Sequence, residues 1–171
     1  MTLEELAKTE NELHSTVLEL YNKEQTEELN EKLNTIFASY KKVHKYYSDL
    51  AKEEDEALKR GLFIQWYALT EPSYLTGIEE LDKMAENNII DLIEEKIQNN
   101  SLDTELKWMI NYYAIWGYVF DRFNNRKGLT ELIANKTDSL PPKLFSNKEE
   151  MNNRGQMGKY WNSLNHFQIK K

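Results

Sequence analysis

Glu10 and His14 stand four residues apart, a spacing that puts both on one face of a helix. A carboxylate beside an imidazole can hold a metal ion or pass a proton. His44, at the edge of a second apolar stripe, joins them if the two stretches fold back on each other as a hairpin. The simpler reading is that Glu10 and His14 steady each other on a helix surface and that His44 is a hydrogen-bonded boundary residue. Helical di-metal bundles use several carboxylates together with Glu-x-x-His spacings, which this sequence lacks. No metal and no cofactor are therefore expected.

A second group is Gln65, Trp66, Tyr67, Glu71 and Tyr74, gathered around a break that Pro72 imposes. Aromatic rings beside a carboxylate at such a break can line a small-molecule pocket. The same spacing also suits a core whose tyrosine hydroxyls reach the rim. A third group is the run from Arg154 through Lys159, Tyr160 and Trp161 to Phe167. Its Gly155-x-x-Gly158 has the form of a KH-domain backbone clamp, but that module needs an α/β fold. What is left is a basic, aromatic stretch suited to a partner protein's acidic surface, to RNA or another single-stranded nucleic acid, or to the protein's own acidic body. Trp161 is expected to pack inward with Leu164, leaving Arg154, Lys159, Tyr160 and Phe167 to the partner.

Other chemistries find no footing. The P-loop, the nucleophile elbow, the kinase catalytic loop and HExxH are all missing, as is an Arg-x4–6-His nuclease motif. An enzymatic or small-molecule-binding bundle thus stands second to a binding protein of adaptor, inhibitor or immunity type.

The elements that must position these groups are helices. Leu3, Leu6, Leu13, Val17 and Leu18 share a face within residues 2–24, which Thr2 and Glu5 open as a capping box. Residues 26–50 carry the cleanest stripe, from Leu29 through Ile36, Tyr40 and Tyr47 to Leu50. Further helices are read at 53–69 and 78–98, and a proline-bearing connector at 135–146. The stretch 102–124 is the expected centre: as a helix its apolar arc would span roughly 220°, enough for neighbours on two sides. Gly117 within it would let another backbone come close. No strand pattern is found. The chain reads as one all-α domain over residues 1–171, a bundle of about five to seven helices.

Length and composition agree with a single globular domain: 171 residues, 40% hydrophobic and 30% charged. The absence of cysteine excludes disulfides, thiol catalysis and zinc–thiolate sites. The net charge of −7 divides unevenly, with 25 acids and 13 bases in residues 1–125 against 4 acids and 9 bases in residues 126–171. An acidic body with a basic C-terminal region is the result. With no basic start or apolar run at the N-terminus and no span long enough for a bilayer, a cytoplasmic protein without membrane contact is expected.

Overall fold

The computed structural model describes residues 1–21, 23–24, 26–136 and 147–168, apart from the side chains of 165–168. Among the described residues the fold is all-α: α1 (Leu3–Leu20), α2 (Glu27–Leu50), α3 (Asp55–Thr70), α4 (Ser73–Thr76), α5 (Lys83–Gln98), α6 (Thr104–Tyr113), α7 (Lys127–Ala134), α8 (Lys148–Asn152) and α9 (Gly155–Gln168). Seven of these have eight residues or more, and α4 and α8 are single turns. The connector read at 135–146 lies outside the described residues from 137 onward.

Side chains cap several of the helix starts, and the helix read at 78–98 begins at Lys83 rather than 78. Thr2 forms a full capping box with Glu5, and Thr26, Asp82 and Asp103 each accept a first-turn amide of α2, α5 and α6. At α7 the cap comes from a distance: Glu94 on α5 accepts from the amides of Gly128 and Leu129 at 2.9 and 2.8 Å. Thr26 opens α2 just after α1 ends, and α2 folds back along α1, bringing Tyr40 onto the Glu10 carbonyl at 3.1 Å.

The centre of the bundle is α3, where every residue from Ala57 to Trp66 is buried, Lys59, Arg60 and Gln65 included. The stretch 102–124 is not one central helix. Its helix stops at Tyr113; Trp116 takes an extended conformation, and two 3₁₀ turns follow at Gly117–Val119 and Asp121–Phe123. The 100° step of a helical wheel fails past Tyr113, so Ile115, placed inside the arc, stands 65% exposed. The Ala114 carbonyl, freed at the helix end, accepts from Lys136 Nζ at 3.1 Å. Nothing lies within 4 Å of where a Cβ of Gly117 would be, so no backbone approaches it.

Candidate functional site

Two features stand out: a chain of polar side chains through the interior and an arc of aromatic rings at its flank. The polar chain turns on Arg154, at the corner between α8 and α9. Its guanidinium donates to Glu56 at 2.7 and 2.5 Å and to Glu105 at 2.5 Å. Glu105 also takes the Lys59 ammonium at 2.7 Å, and Lys59 reaches Asp103 at 2.7 Å. In the other direction Glu56 accepts from Arg60 Nε at 2.7 Å, and Arg60 donates to the carbonyls of Leu3 and Asn153. Arg60 also bonds Tyr47, whose hydroxyl donates to Glu10.

The electrostatics follow from this order. Burial pushes Glu56 up, but Arg154 and Arg60 outweigh it and hold the carboxyl below its ordinary range. Burial opposes the charge on Lys59, and Asp103 and Glu105 more than restore it. Three cations (Lys59, Arg60, Arg154) face three acids (Glu56, Asp103, Glu105). Glu10 is the fourth acid and has no ion pair among the described residues. Burial raises it to about 7, against the opposing pull of Tyr47, the Gln156 amide, Arg60 and Lys159.

The second feature is centred on Trp66, which is 1% exposed. Tyr113 stacks on it at 4.6 Å, and Tyr67, Tyr160, Tyr112 and Trp116 all touch its ring at 5.0–5.9 Å. Those four are half-buried and form a continuous arc. Tyr67 meets Tyr160 at 5.7 Å, the Tyr160 and Tyr112 hydroxyls share a hydrogen bond of 2.9 Å, and Tyr112 meets Trp116 at 5.5 Å. Trp161 and Trp108 close the inner side, 4.9 Å apart. Exposed Ile115 and Tyr118 adjoin this arc in sequence, and the Tyr118 hydroxyl reaches the Leu69 carbonyl at 3.5 Å.

The residues singled out in the sequence are redistributed. Glu10, His14 and His44 do not converge, and no metal-holding group occurs among the described residues. Glu10 bonds Tyr47 and the Gln156 amide, whereas His44 meets the Gln65 amide at 3.2 Å. Burial takes His44 down to about 3, with Asp82 opposing and Arg122 adding to it, so it is neutral. His14 is half-buried and lowered by burial and by Lys159.

The pocket expected from Gln65, Trp66, Tyr67, Glu71 and Tyr74 is dispersed. Gln65 faces α2 and donates to the Glu86 carbonyl, Glu71 is exposed, and Tyr74 stacks on Tyr21 at 6.0 Å. A groove of about 920 Å³ runs elsewhere, between α1 and Asn152–Asn153, with Arg60 at its floor.

In the C-terminal group, Arg154 is not available to a partner: it is 5% exposed and its charge is spent on Glu56 and Glu105. Counting charge along a sequence cannot see two acids that lie 98 and 49 positions away. Lys159 is exposed, Tyr160 is half-buried in the arc, Trp161 is buried, and the side chain of Phe167 lies outside the described residues. The structure thus joins Trp66 and Tyr67 of one expected site to Tyr160 of another. It adds Tyr112 and Trp116, which the sequence offered only as core of the supposed central helix.

Comparison of the chain with protein-family models, with curated proteins and with solved structures finds no match. No helix among the described residues is long and apolar enough to cross a membrane.

Proposed function

We propose that this chain is a cytoplasmic binding protein without catalytic activity of its own, and that it docks another protein on the arc Tyr67–Tyr160–Tyr112–Trp116. One observation carries this reading: four half-buried rings from α3, α6, α9 and the turn after α6 are held edge to edge around one buried indole. Rings fixed in this way offer large contact area with little side-chain freedom left to lose, which is the physical make-up of an interface hot spot. Exposed Ile115 and Tyr118 would extend the face, and Lys159 and Glu71 would supply polar contacts beside it.

A protein partner is favoured over nucleic acid because Arg154, the basic residue most suited to phosphate, is engaged by Glu56 and Glu105. The test is capture from a lysate of the source cell by the immobilised full chain, with and without nuclease. Trp116→Ala and Ile115→Glu should each weaken capture by about tenfold or more, the scale of one interface anchor. Met84→Ala, which truncates an exposed side chain on α5, should leave it unchanged. Equal capture by all variants, or capture abolished by nuclease, overturns the reading.

A further inference from the structure

Glu10 lies where three helices meet, and the corner that covers it is shaped to its carboxyl group. Gly155 opens α9 in the left-handed region, at φ +61°, and a methyl group there would collide with Glu10. The next residue, Gln156, is 3% exposed; its amide N–H donates to Glu10 Oε2 at 3.2 Å, and its side chain donates to the Thr76 carbonyl at 3.2 Å. The first turn of α9 is therefore fastened at two points, one on α1 and one on α4.

The titratable and charged groups around Glu10 are few. Tyr47 of α2 donates its hydroxyl to the carboxyl, and Tyr40 of α2 takes the backbone carbonyl of the same residue. Arg60 of α3, bonded to Tyr47, acts on the carboxyl by its charge, and Lys159 of α9 does so from one turn beyond the corner. On α1 itself, His14 stands one turn on and is opposed by the same Lys159. The cations of the interior are already matched by Glu56, Asp103 and Glu105.

With a proton on Glu10 the charges of this polar chain therefore cancel, and buried Glu86 has its own partner in Arg122. Without it the interior holds one extra negative charge. That charge is met by two hydrogen bonds and by the N-terminal end of α9, but by no ion pair among the described residues. Water is a further source of stabilisation, and with Glu10 only 1% exposed, lifting the corner that packs on the carboxylate would admit it.

We propose that Glu10 is a proton-operated latch on α9: with its proton in place the Gly155–Gln156 corner closes over it, and loss of the proton drives the corner to open to solvent. The latch stands on its own geometry. Its consequence for binding rests on the docking reading above: α9 carries Tyr160, so a lifted α9 would loosen the arc and weaken docking as pH rises.

Amide hydrogen exchange of the full chain, corrected for intrinsic rates, tests the latch without any partner. The amides of Gln156, Met157 and Gly158 should lose protection by up to about tenfold per pH unit between the ordinary carboxylate range and neutrality, then level off, as one linked proton requires. Glu10→Gln should flatten that dependence and His14→Gln should keep it. In the unmutated chain, a ¹³C titration of the Glu10 carboxyl should share the midpoint at which the exchange levels off. The latch is overturned if Glu10→Gln keeps the full dependence, if protection falls equally over α1–α9, or if the carboxyl titrates with a different midpoint. A failure of Trp116→Ala to affect capture would remove the docking reading and leave this result untouched.

Discussion

Arg154 and Glu56 are 98 positions apart in sequence and meet through two guanidinium–carboxylate bonds, Nε to Oε1 at 2.7 Å and Nη2 to Oε2 at 2.5 Å. This forked contact ties the start of α3 to the α8–α9 corner, and Glu105 adds the N-terminal turn of α6. Arg154→Met would leave Glu56 with Arg60 alone and Glu105 with Lys59 alone, one cation short in the interior, and should cost about 3–5 kcal/mol. Arg154→Lys should recover little of that, because an ammonium cannot span both oxygens of Glu56. Lys159→Ala, on the exposed side of α9, should change stability by less than about 0.5 kcal/mol. Urea unfolding separates these outcomes. Equal midpoints for Arg154→Met and Lys159→Ala would dismiss the ion-pair chain as a source of stability.

Glu10 and His44 should oppose each other in the pH dependence of stability. Glu10 is raised from 4.5 to about 7, so the unfolded chain gives up its proton first. Its contribution is complete below about 4.5 and is lost as pH rises to about 7, up to roughly 3 kcal/mol. His44 is lowered from 6.5 to about 3, so the unfolded chain takes up its proton first. That contribution is complete above about 6.5 and is lost as pH falls toward 3, up to about 5 kcal/mol. Between about 4.5 and 6.5 the two slopes cancel. Glu10→Gln should uncover stability that climbs with pH in that window, and His44→Gln stability that declines. Denaturant midpoints at closely spaced pH values give the answer; parallel curves for the two variants would refute both assignments.

Gly155 and Gly117 should respond in opposite ways to a methyl group. Gly155→Ala places a side chain at positive φ and against the Glu10 carboxyl, and should cost about 2 kcal/mol or more. Gly117→Ala meets open space and should be neutral or stabilise by up to about 1 kcal/mol, through a less disordered unfolded chain. Thermal unfolding of the two variants checks the pair, and a matching loss in both would mean that the turn after α6 is misplaced.

Trp66 and Trp116 touch, at 5.3 Å between ring centroids, yet should behave differently on truncation. Trp66→Ala opens a cavity among the rings that pack on it and should cost about 3–5 kcal/mol. Trp116→Ala removes a half-buried ring and should cost about half as much or less, while weakening capture of the partner by about tenfold or more. A Trp116 variant as unstable as the Trp66 variant would place that ring in the core and take it out of the docking face.

The all-α class, the capping of α1 and the break before Pro72 were legible because each depends on residues within a few positions of one another. The central position of α3 was not. Nothing near Lys59 and Arg60 in sequence marks them as buried, since the acids that permit their burial include Asp103 and Glu105, which become partners only once the helices have assembled. The apolar run after Tyr113 misled for a related reason: continuous hydrophobicity does not reveal where the backbone turns, so a helix and two 3₁₀ turns merged into one arc. Of the candidate sites, Tyr160 and Tyr67 were identified singly. Their meeting across 93 positions depends on Arg154 placing α9, which no local pattern encodes.

All four tryptophans of the chain, Trp66, Trp108, Trp116 and Trp161, lie in the one ring cluster. Two pairs are in van der Waals range at steep angles, Trp66 with Trp116 at 66° and Trp108 with Trp161 at 64°. Excitation absorbed by any of them will pass readily among the others, so emission comes from one place rather than from the molecule at large. The near-ultraviolet circular dichroism should accordingly be intense and should lose the share contributed by the Trp108–Trp161 and Trp66–Tyr160 pairs when α9 leaves α3, even while the far-ultraviolet helix signal persists. Ordinary optical spectroscopy thus follows the seating of a single helix in this protein without any added label.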